Sequence, residues 1–256
     1  MAISIDLSGK TALITGATGE LGRVMARTLA SCGADIALHY HQNAPKAKSL
    51  QQELEAMHVR ALPVQGDITR QSSVEKMRDL IHRKLAPPDI VVACAVSRID
   101  PWSMILDESA ADFEDQFRSC VLQNLFLAKA FIPAMISRNY GRYIGINTEC
   151  SMQMLPSQAA YASAKRGMDG LLRVLAREVG AHQITVNQVA PGWTLSEKDA
   201  GTAPDAHPAY TKSVPLKRRG TDQEIANTVA FLASDLASFI SGAFIPVCGG
   251  NVMPTI

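Results

Sequence analysis

The chain has 256 residues, of which 47% are hydrophobic, 19% charged and 5% aromatic, values that exclude a disordered, collagen-like or disulfide-framework protein. Lys and Arg number 25 against 24 Asp and Glu, a formal net charge of +1, so no global field favours nucleic acid or an anionic membrane as partner. Residues 1–10 lack the basic start and long apolar core of a secretory signal, and no uninterrupted run approaches the roughly 20 apolar residues that span a bilayer, so a cytoplasmic location is expected.

Strand-length apolar runs alternate with helix-period segments from one end to the other, the pattern of βαβ units around a parallel sheet. Strands are predicted at 11–15, 35–40, 59–64, 89–93, 143–147, 185–189 and 243–247, with helices near 20–32, 44–57, 70–85, 110–138, 158–180 and 222–233. Within 110–138, Phe113, Phe117, Val121, Leu125, Ala128, Ile132 and Ile136 recur at three- and four-residue steps, one face of a helix. Residues 192–220 carry Pro204, Pro208 and Pro215 and end in the basic run Lys217, Arg218 and Arg219. This segment is predicted as a loop or short-helix lid beyond a strand end, where ligands of open α/β sheets bind. Its basic run reads either as a lure for an acidic carrier or phosphate or as a solvated loop end. With no break in composition elsewhere, one domain over 1–256 with that lid is expected. Cys32, Cys94, Cys120, Cys150 and Cys248 form no CxxC pair and have no His at ligand spacing, which argues for reduced, buried thiols and against a zinc site.

The first strand runs into Thr15-Gly16-Ala17-Thr18-Gly19-Glu20-Leu21-Gly22 and then a helical pattern. Glycines permit a tight turn and close approach of backbone to a pyrophosphate, and a helix start offers free N–H groups and a positive dipole end. The second strand ends at His39-Tyr40-His41-Gln42, without the acid that would read a ribose 2′-hydroxyl. A carboxylate there would repel a 2′-phosphate; its absence, with His41 and nearby Lys46 or Lys48, leans toward NADP(H) and leaves NAD(H) open. Asp67, in Gly66-Asp67-Ile68, reads equally as an acceptor for an adenine amino group or as a cap beside Thr69. Tyr161 and Lys165 stand at i and i+4 at the start of a helix, on one face. A free phenol titrates about three units too high for acid–base work at neutral pH, a gap of roughly 4 kcal/mol. A cation about 4 Å away at an effective dielectric near 20 supplies energy of that size.

Together these segments resemble the short-chain dehydrogenase/reductase family over nearly the whole chain. The likeness rests on the turn 15–22, Gly66-Asp67-Ile68, Tyr161-Ala162-Ser163-Ala164-Lys165, Asn187-Gln188-Val189-Ala190-Pro191-Gly192, and the tail from Glu224-Ile225-Ala226 through Phe231-Leu232-Ala233-Ser234-Asp235 to Gly249-Gly250. The tail is similar to the compact branch that includes the β-ketoacyl carrier-protein reductases. The resemblance implies a Rossmann-type, doubly wound sheet of seven parallel strands with helices on both faces, and hydride transfer between a nicotinamide and a carbonyl or alcohol carbon. It implies Tyr161 as proton donor, with Lys165 lowering its pKa and binding the nicotinamide ribose. A serine thirteen positions before the tyrosine is replaced by Thr148, which keeps the hydroxyl, with Ser151 in reserve. The implied cofactor contacts are Gly16, Thr18, Gly19, Leu21 and Gly22 at the turn, Tyr40 and His41 after the second strand, and Asp67 and Ile68 after the third. Pro191 and Gly192 would cover the nicotinamide, with Thr194 or Ser196 reaching its carboxamide.

The chain also departs from the family pattern. Glu20 stands in the glycine turn, Ala93-Cys94-Ala95-Val96 replaces Asn-Asn-Ala-Gly, and Cys120 takes the position of the catalytic asparagine, weakening or rerouting the proton relay. Glu149 is expected to meet a basic substrate group or to face water, and Cys150 to line the pocket as a reactive thiol or lie inert. The leading expectation is an NADP(H)-dependent ketone or aldehyde reductase, with a nucleotide-binding regulatory or scaffold protein as its rival. A cofactor-free lyase or dehalogenase is disfavoured by Gly16, Gly19, Gly22 and Lys165. Homotetramers or homodimers through the helices 110–138 and 158–180 are a further implication of the resemblance.

Overall fold

Seven short, largely apolar segments pair side by side in parallel, in the order β3-β2-β1-β4-β5-β6-β7. The computed structural model describes residues 4–97, 102–199 and 207–254. The strands are β1 (Thr11–Ile14), β2 (Asp35–Tyr40), β3 (Ala61–Gln65), β4 (Ile90–Ala93), β5 (Gly141–Ile146), β6 (Ile184–Pro191) and β7 (Phe244–Val247). Every residue of β1, β4, β5 and β6 is buried, because a parallel sheet is covered on both faces by its crossover helices.

One covering layer holds α1 (Glu20–Ser31), α2 (Ala44–Glu55) and, numbered ahead in chain order, α9 (Asp222–Ala233), packed through Leu29, Leu54 and Val229. The opposite layer holds α3 (Gln71–Lys84), α5 (Gln123–Arg138) and α7 (Ala159–Val179), packed through Met77, Phe131 and Leu172. Between them in sequence lie α4 (Ala110–Phe117) and the short helices α6 (Cys150–Gln153) and α8 (Pro208–Ser213). From β1 the chain works outward to β2 and β3, then returns to set β4 on the other side of β1, with Ile14 beside Leu38 in one pair and beside Val92 in the other. At that reversal the connections diverge and a crevice opens outside the carboxyl ends of the strands.

Two expected elements are shifted for local reasons. The third strand starts at Ala61 and not at 59, because His58 adopts a left-handed backbone (φ +65°) and the Arg60 N–H is taken by Asp35 Oδ1 at 2.8 Å. The helix expected at 110–138 is continuous but contains a π-helical turn at Arg118–Leu122. There the Gln123 and Asn124 side-chain amides donate to the carbonyls of Ser119 and Cys120 four residues back, and the Gln123 N–H reaches Arg118, five residues back. By length and composition this helix is apolar enough to cross a bilayer, contrary to the expectation that no segment approaches that length. More than half of its most apolar stretch is buried, with Leu127, Phe131 and Met135 packed into the core.

The expected lid over 192–220 is held at both ends. A parallel bridge joins Leu195 to Thr221, and the Arg219 guanidinium, itself buried, donates to the carbonyls of Trp193 and Thr194 at 3.1 and 2.9 Å. Arg218 pairs with Glu224 at 2.6 Å and Lys217 Nζ donates to the Lys212 carbonyl, so the basic run braces the lid by these bonds. Pro204, with the rest of 200–206, lies outside the described residues.

Candidate active site

The glycine turn fits the space left for it. Gly16 is left-handed (φ +67°), and a Cβ there would lie 3.0 Å from the Ala95 Cα; at Gly22 it would lie 2.2 Å from the Gly16 carbonyl oxygen. Gly19 caps α1 with no side chain over the first turn, leaving the N–H end of Glu20, Leu21 and Gly22 to a ligand. Glu20 does not oppose an anion unscreened: its carboxylate accepts from Arg23 at 2.6 Å, and Arg23 also meets Glu197 at 3.1 Å. Thr18 is half-buried on the turn.

A histidine that the motifs do not announce holds this turn in place. Gly16 N–H donates to His39 Nδ1 at 3.0 Å, Ala17 N–H donates to the His39 carbonyl at 2.9 Å, and His39 Nε2 donates to the Gly66 carbonyl at 3.1 Å. Accepting at one nitrogen and donating at the other requires the neutral imidazole, and burial holds its pKa down to about 4. The one available signal was a histidine in an otherwise apolar, buried strand. Tyr40 and His41 follow it, half-buried and exposed respectively, and Asn43 Oδ1 caps α2 through the Lys46 N–H. Asp67 Oδ1 accepts from both the N–H and the hydroxyl of Thr69, which, against burial, keeps its carboxyl below the usual range. These bonds close a turn ahead of α3, whose N-cap residue Arg70 has no side-chain cap bond, so the helix-cap reading of Asp67 does not hold; Ile68 is buried next to it.

At the carboxyl ends of β5 and β6, Asn147 sets the loop that carries Thr148. Its amide donates to Gln188 Oε1 and to the Lys165 carbonyl, and its Oδ1 accepts from the Thr148 N–H at 2.8 Å. The Glu108 carboxylate accepts from Ala160 N–H at the start of α7. Two residues into α7 stands Tyr161, its side chain buried. Ser151, the reserve candidate, directs its hydroxyl to the Thr148 carbonyl at 2.8 Å. Lys165 is buried, with Nζ 5.7 Å from the centre of the Tyr161 ring and donating to the Ile146 carbonyl at 2.6 Å. Burial pushes the Tyr161 phenol well above its ordinary value, the nearby thiols Cys120 and Cys150 add to this, and the Thr148 bond opposes it. Trp102, which carries no sequence signal, stands edge-on to Tyr161 at 5.9 Å.

A family model described as enoyl-(acyl carrier protein) reductase matches residues 16–251. The chain belongs to the short-chain dehydrogenase/reductase family. It is 35% identical over 251 residues to the 3-oxoacyl-[acyl-carrier-protein] reductase FabG of Escherichia coli K12, covering 97% of this chain and 100% of that one. It is 32% identical over 244 residues to the enzyme of the same description from Staphylococcus epidermidis, covering 95% and 99%. Among solved structures, a candidate gluconate dehydrogenase from Agrobacterium tumefaciens superposes with a TM-score of 0.91 at 27% identity, over 98% of this chain and all of the other. Membership makes the chain an oxidoreductase acting between CH–OH and C=O groups.

This short-chain dehydrogenase/reductase carries Cys120 fully buried inside the π-helical turn, its thiol 3.9 Å from Gln116 Oε1 and its carbonyl accepting from Asn124 at 2.7 Å. Asn124 Oδ1 accepts in turn from the Tyr143 hydroxyl at 2.8 Å. Burial pushes the Cys94 thiol up to about 11 and also raises that of Cys150. Beyond Pro191, the last residue of β6, Gly192 N–H donates to the Val247 carbonyl. Thr194 Oγ1 donates to the Gly192 carbonyl, while the Ser196 hydroxyl is engaged by Asp199, so of the two it is Thr194 that stays at the strand end. Glu149 neither faces water nor stands open to a basic group; both carboxylate oxygens are bonded within the protein.

Proposed function

We propose that this enzyme reduces a ketone or aldehyde with NADPH, Tyr161 giving the proton. The observation that carries the reading is the buried Tyr161 with Lys165 Nζ 5.7 Å from its ring centre, at the carboxyl ends of β5 and β6 where Asn147 holds the Thr148 backbone. The residues present suit a dinucleotide: an uncapped helix start, a glycine turn with no room for a Cβ, and no acid after β2 to oppose a 2′-phosphate. Gly16, Thr18, Gly19, Leu21 and Gly22 would hold the pyrophosphate, Tyr40, His41, Asp67 and Ile68 the adenosine end, and Tyr161, Lys165, Pro191, Gly192, Thr194 or Ser196 the nicotinamide end.

When bound, the nicotinamide supplies the hydride that reaches the carbonyl carbon. Thr148 fixes the carbonyl oxygen beside Tyr161, whose raised pKa keeps a proton on Oη ready for that oxygen. The charge left on the phenolate is met by Lys165, held by the Ile146 carbonyl. The relatives' described action on 3-oxoacyl groups supports a carbonyl substrate. Five free thiols support a cytoplasmic setting, and the long helices support a homodimer or homotetramer. The thiol of Cys120 favours the alternative of a nucleotide-binding protein with impaired turnover.

Titration of nicotinamide fluorescence with NADPH and NADH, followed by a ketone panel, separates the readings. Tight NADPH binding with oxidation is expected; binding without oxidation across the panel supports the alternative. Tyr161→Phe is expected to keep nucleotide affinity and lose at least about a hundredfold in reduction rate. Full activity in that variant removes Tyr161 as the donor.

A further inference from the structure

Glu149 follows Thr148 directly, yet the proton chemistry makes no use of it. Its side chain is almost wholly buried, a costly place for a carboxylate unless every oxygen is bonded. Oε1 accepts from the Tyr210 hydroxyl at 2.8 Å and Oε2 from Asn251 Nδ2 at 3.0 Å. The Tyr210 oxygen accepts in turn from the Trp193 N–H at 2.7 Å. Burial pushes the Glu149 carboxyl up, and these two donors work against that rise.

Three separate pieces of chain therefore close on one carboxylate: the loop that carries Thr148, lid helix α8, and the segment after β7. The fit between them leaves no slack. A Cβ on Gly192 would stand 2.5 Å from the Tyr210 hydroxyl and 3.1 Å from Cys248 Cα, so the bare glycine is what admits Tyr210. Asn251 Oδ1 also accepts from Ser213 Oγ at the end of α8, and Leu216 N–H donates to the Gly249 carbonyl. The Trp193 ring packs against His207 at 3.8 Å and meets Tyr210 edge-on at 5.5 Å. The Glu149 N–H donates to the Pro191 carbonyl at 2.9 Å, which ties the same residue to the end of β6.

We infer that Glu149 is a positioning residue that, through Tyr210 and Asn251, locks helix α8 and the Gly192 turn over the strand ends and so sets the wall of the substrate site beside Thr148. The effect on substrate rests on the reductase reading; the lock itself does not. Hydrogen–deuterium exchange on the full chain tests the lock without any substrate. In Tyr210→Phe, which keeps the ring and removes the hydroxyl, exchange at Trp193 and over 207–216 is expected to rise about tenfold, with the peptides of β1 and β4 unchanged. Glu149→Gln, which still offers an oxygen to Tyr210, is expected to rise less. Unchanged exchange at Trp193 and 207–216 in Tyr210→Phe overturns the lock. With a ketone that the native enzyme reduces, Tyr210→Phe is expected to raise KM about tenfold and leave kcat within about threefold. Faster exchange with an unaltered KM overturns the positioning role. If the native enzyme reduces nothing, the exchange result still decides the lock, and it is the reductase reading that fails.

Discussion

His39 holds the glycine turn as a neutral imidazole. In the unfolded chain an imidazole titrates near 6.5, whereas burial keeps this one neutral down to about pH 4 against the bond to the Gly66 carbonyl, with His41 opposing a charge and Asp67 favouring it. Between those limits the unfolded chain binds the extra proton, so stability is complete above about pH 6.5 and is lost as pH falls toward 4. The single-site loss amounts to about 3 kcal/mol at pH 4. Urea denaturation at pH 7 and pH 4 is expected to show the native protein losing that much more than His39→Gln. Equal losses in the two proteins would mean that His39 titrates normally. As pH falls through about 4, nucleotide affinity is expected to fall with it, because a protonated Nδ1 can no longer accept from Gly16.

The π-helical turn is the element that holds Cys120, the residue expected at the asparagine position. It buries Cys120 and lends the Cys120 carbonyl to Asn124, which Tyr143 anchors from the sheet. Since those bonds come from residues other than the thiol, Cys120→Asn is expected to keep the turn and to give unchanged or higher turnover with the ketone that the native enzyme reduces. A loss of about tenfold or more would mean that the site is built around the sulfur. The elements themselves were largely legible, because buried parallel strands and amphipathic helices imprint their periods on local sequence. The glycine turn and the Tyr161–Lys165 pair were legible for the same reason: each lies within one turn of chain. His39 reaching Gly16, and Glu149 reaching Tyr210 and Asn251, join residues 23, 61 and 102 positions apart. No window of sequence contains both partners of such a bond, and the alternatives left open for Glu149 both assumed an outward side chain. The π turn was hidden because side-chain amides competing for helix carbonyls leave the apolar spacing intact.

At the scale of the molecule, a cavity of about 540 Å³ lies on the surface where Phe113, Phe117 and Leu122 face Ser163 and Ala164 of α7. Phe117, Leu125 and Val174 are exposed on these same helices, apolar surface in keeping with contact between subunits. Sedimentation equilibrium is expected to give a particle of two or four times 27.6 kDa, and a purely monomeric particle would remove the proposed assembly.

The strand order also dictates how the chain must reach this state. Among the described residues all six strand pairings are parallel, so none of them is a hairpin that could start the sheet. Thr11 N–H bonds to Asp89 Oδ2 78 residues further on, and β1 gains its second neighbour only after β2, β3 and three helices have been laid out and the chain has doubled back. Closing such loops comes before the contacts that reward it, which makes folding slow compared with a helical bundle. Until β4 docks, β1 presents an apolar, unpaired edge, and in that interval another copy of the chain is a competing partner.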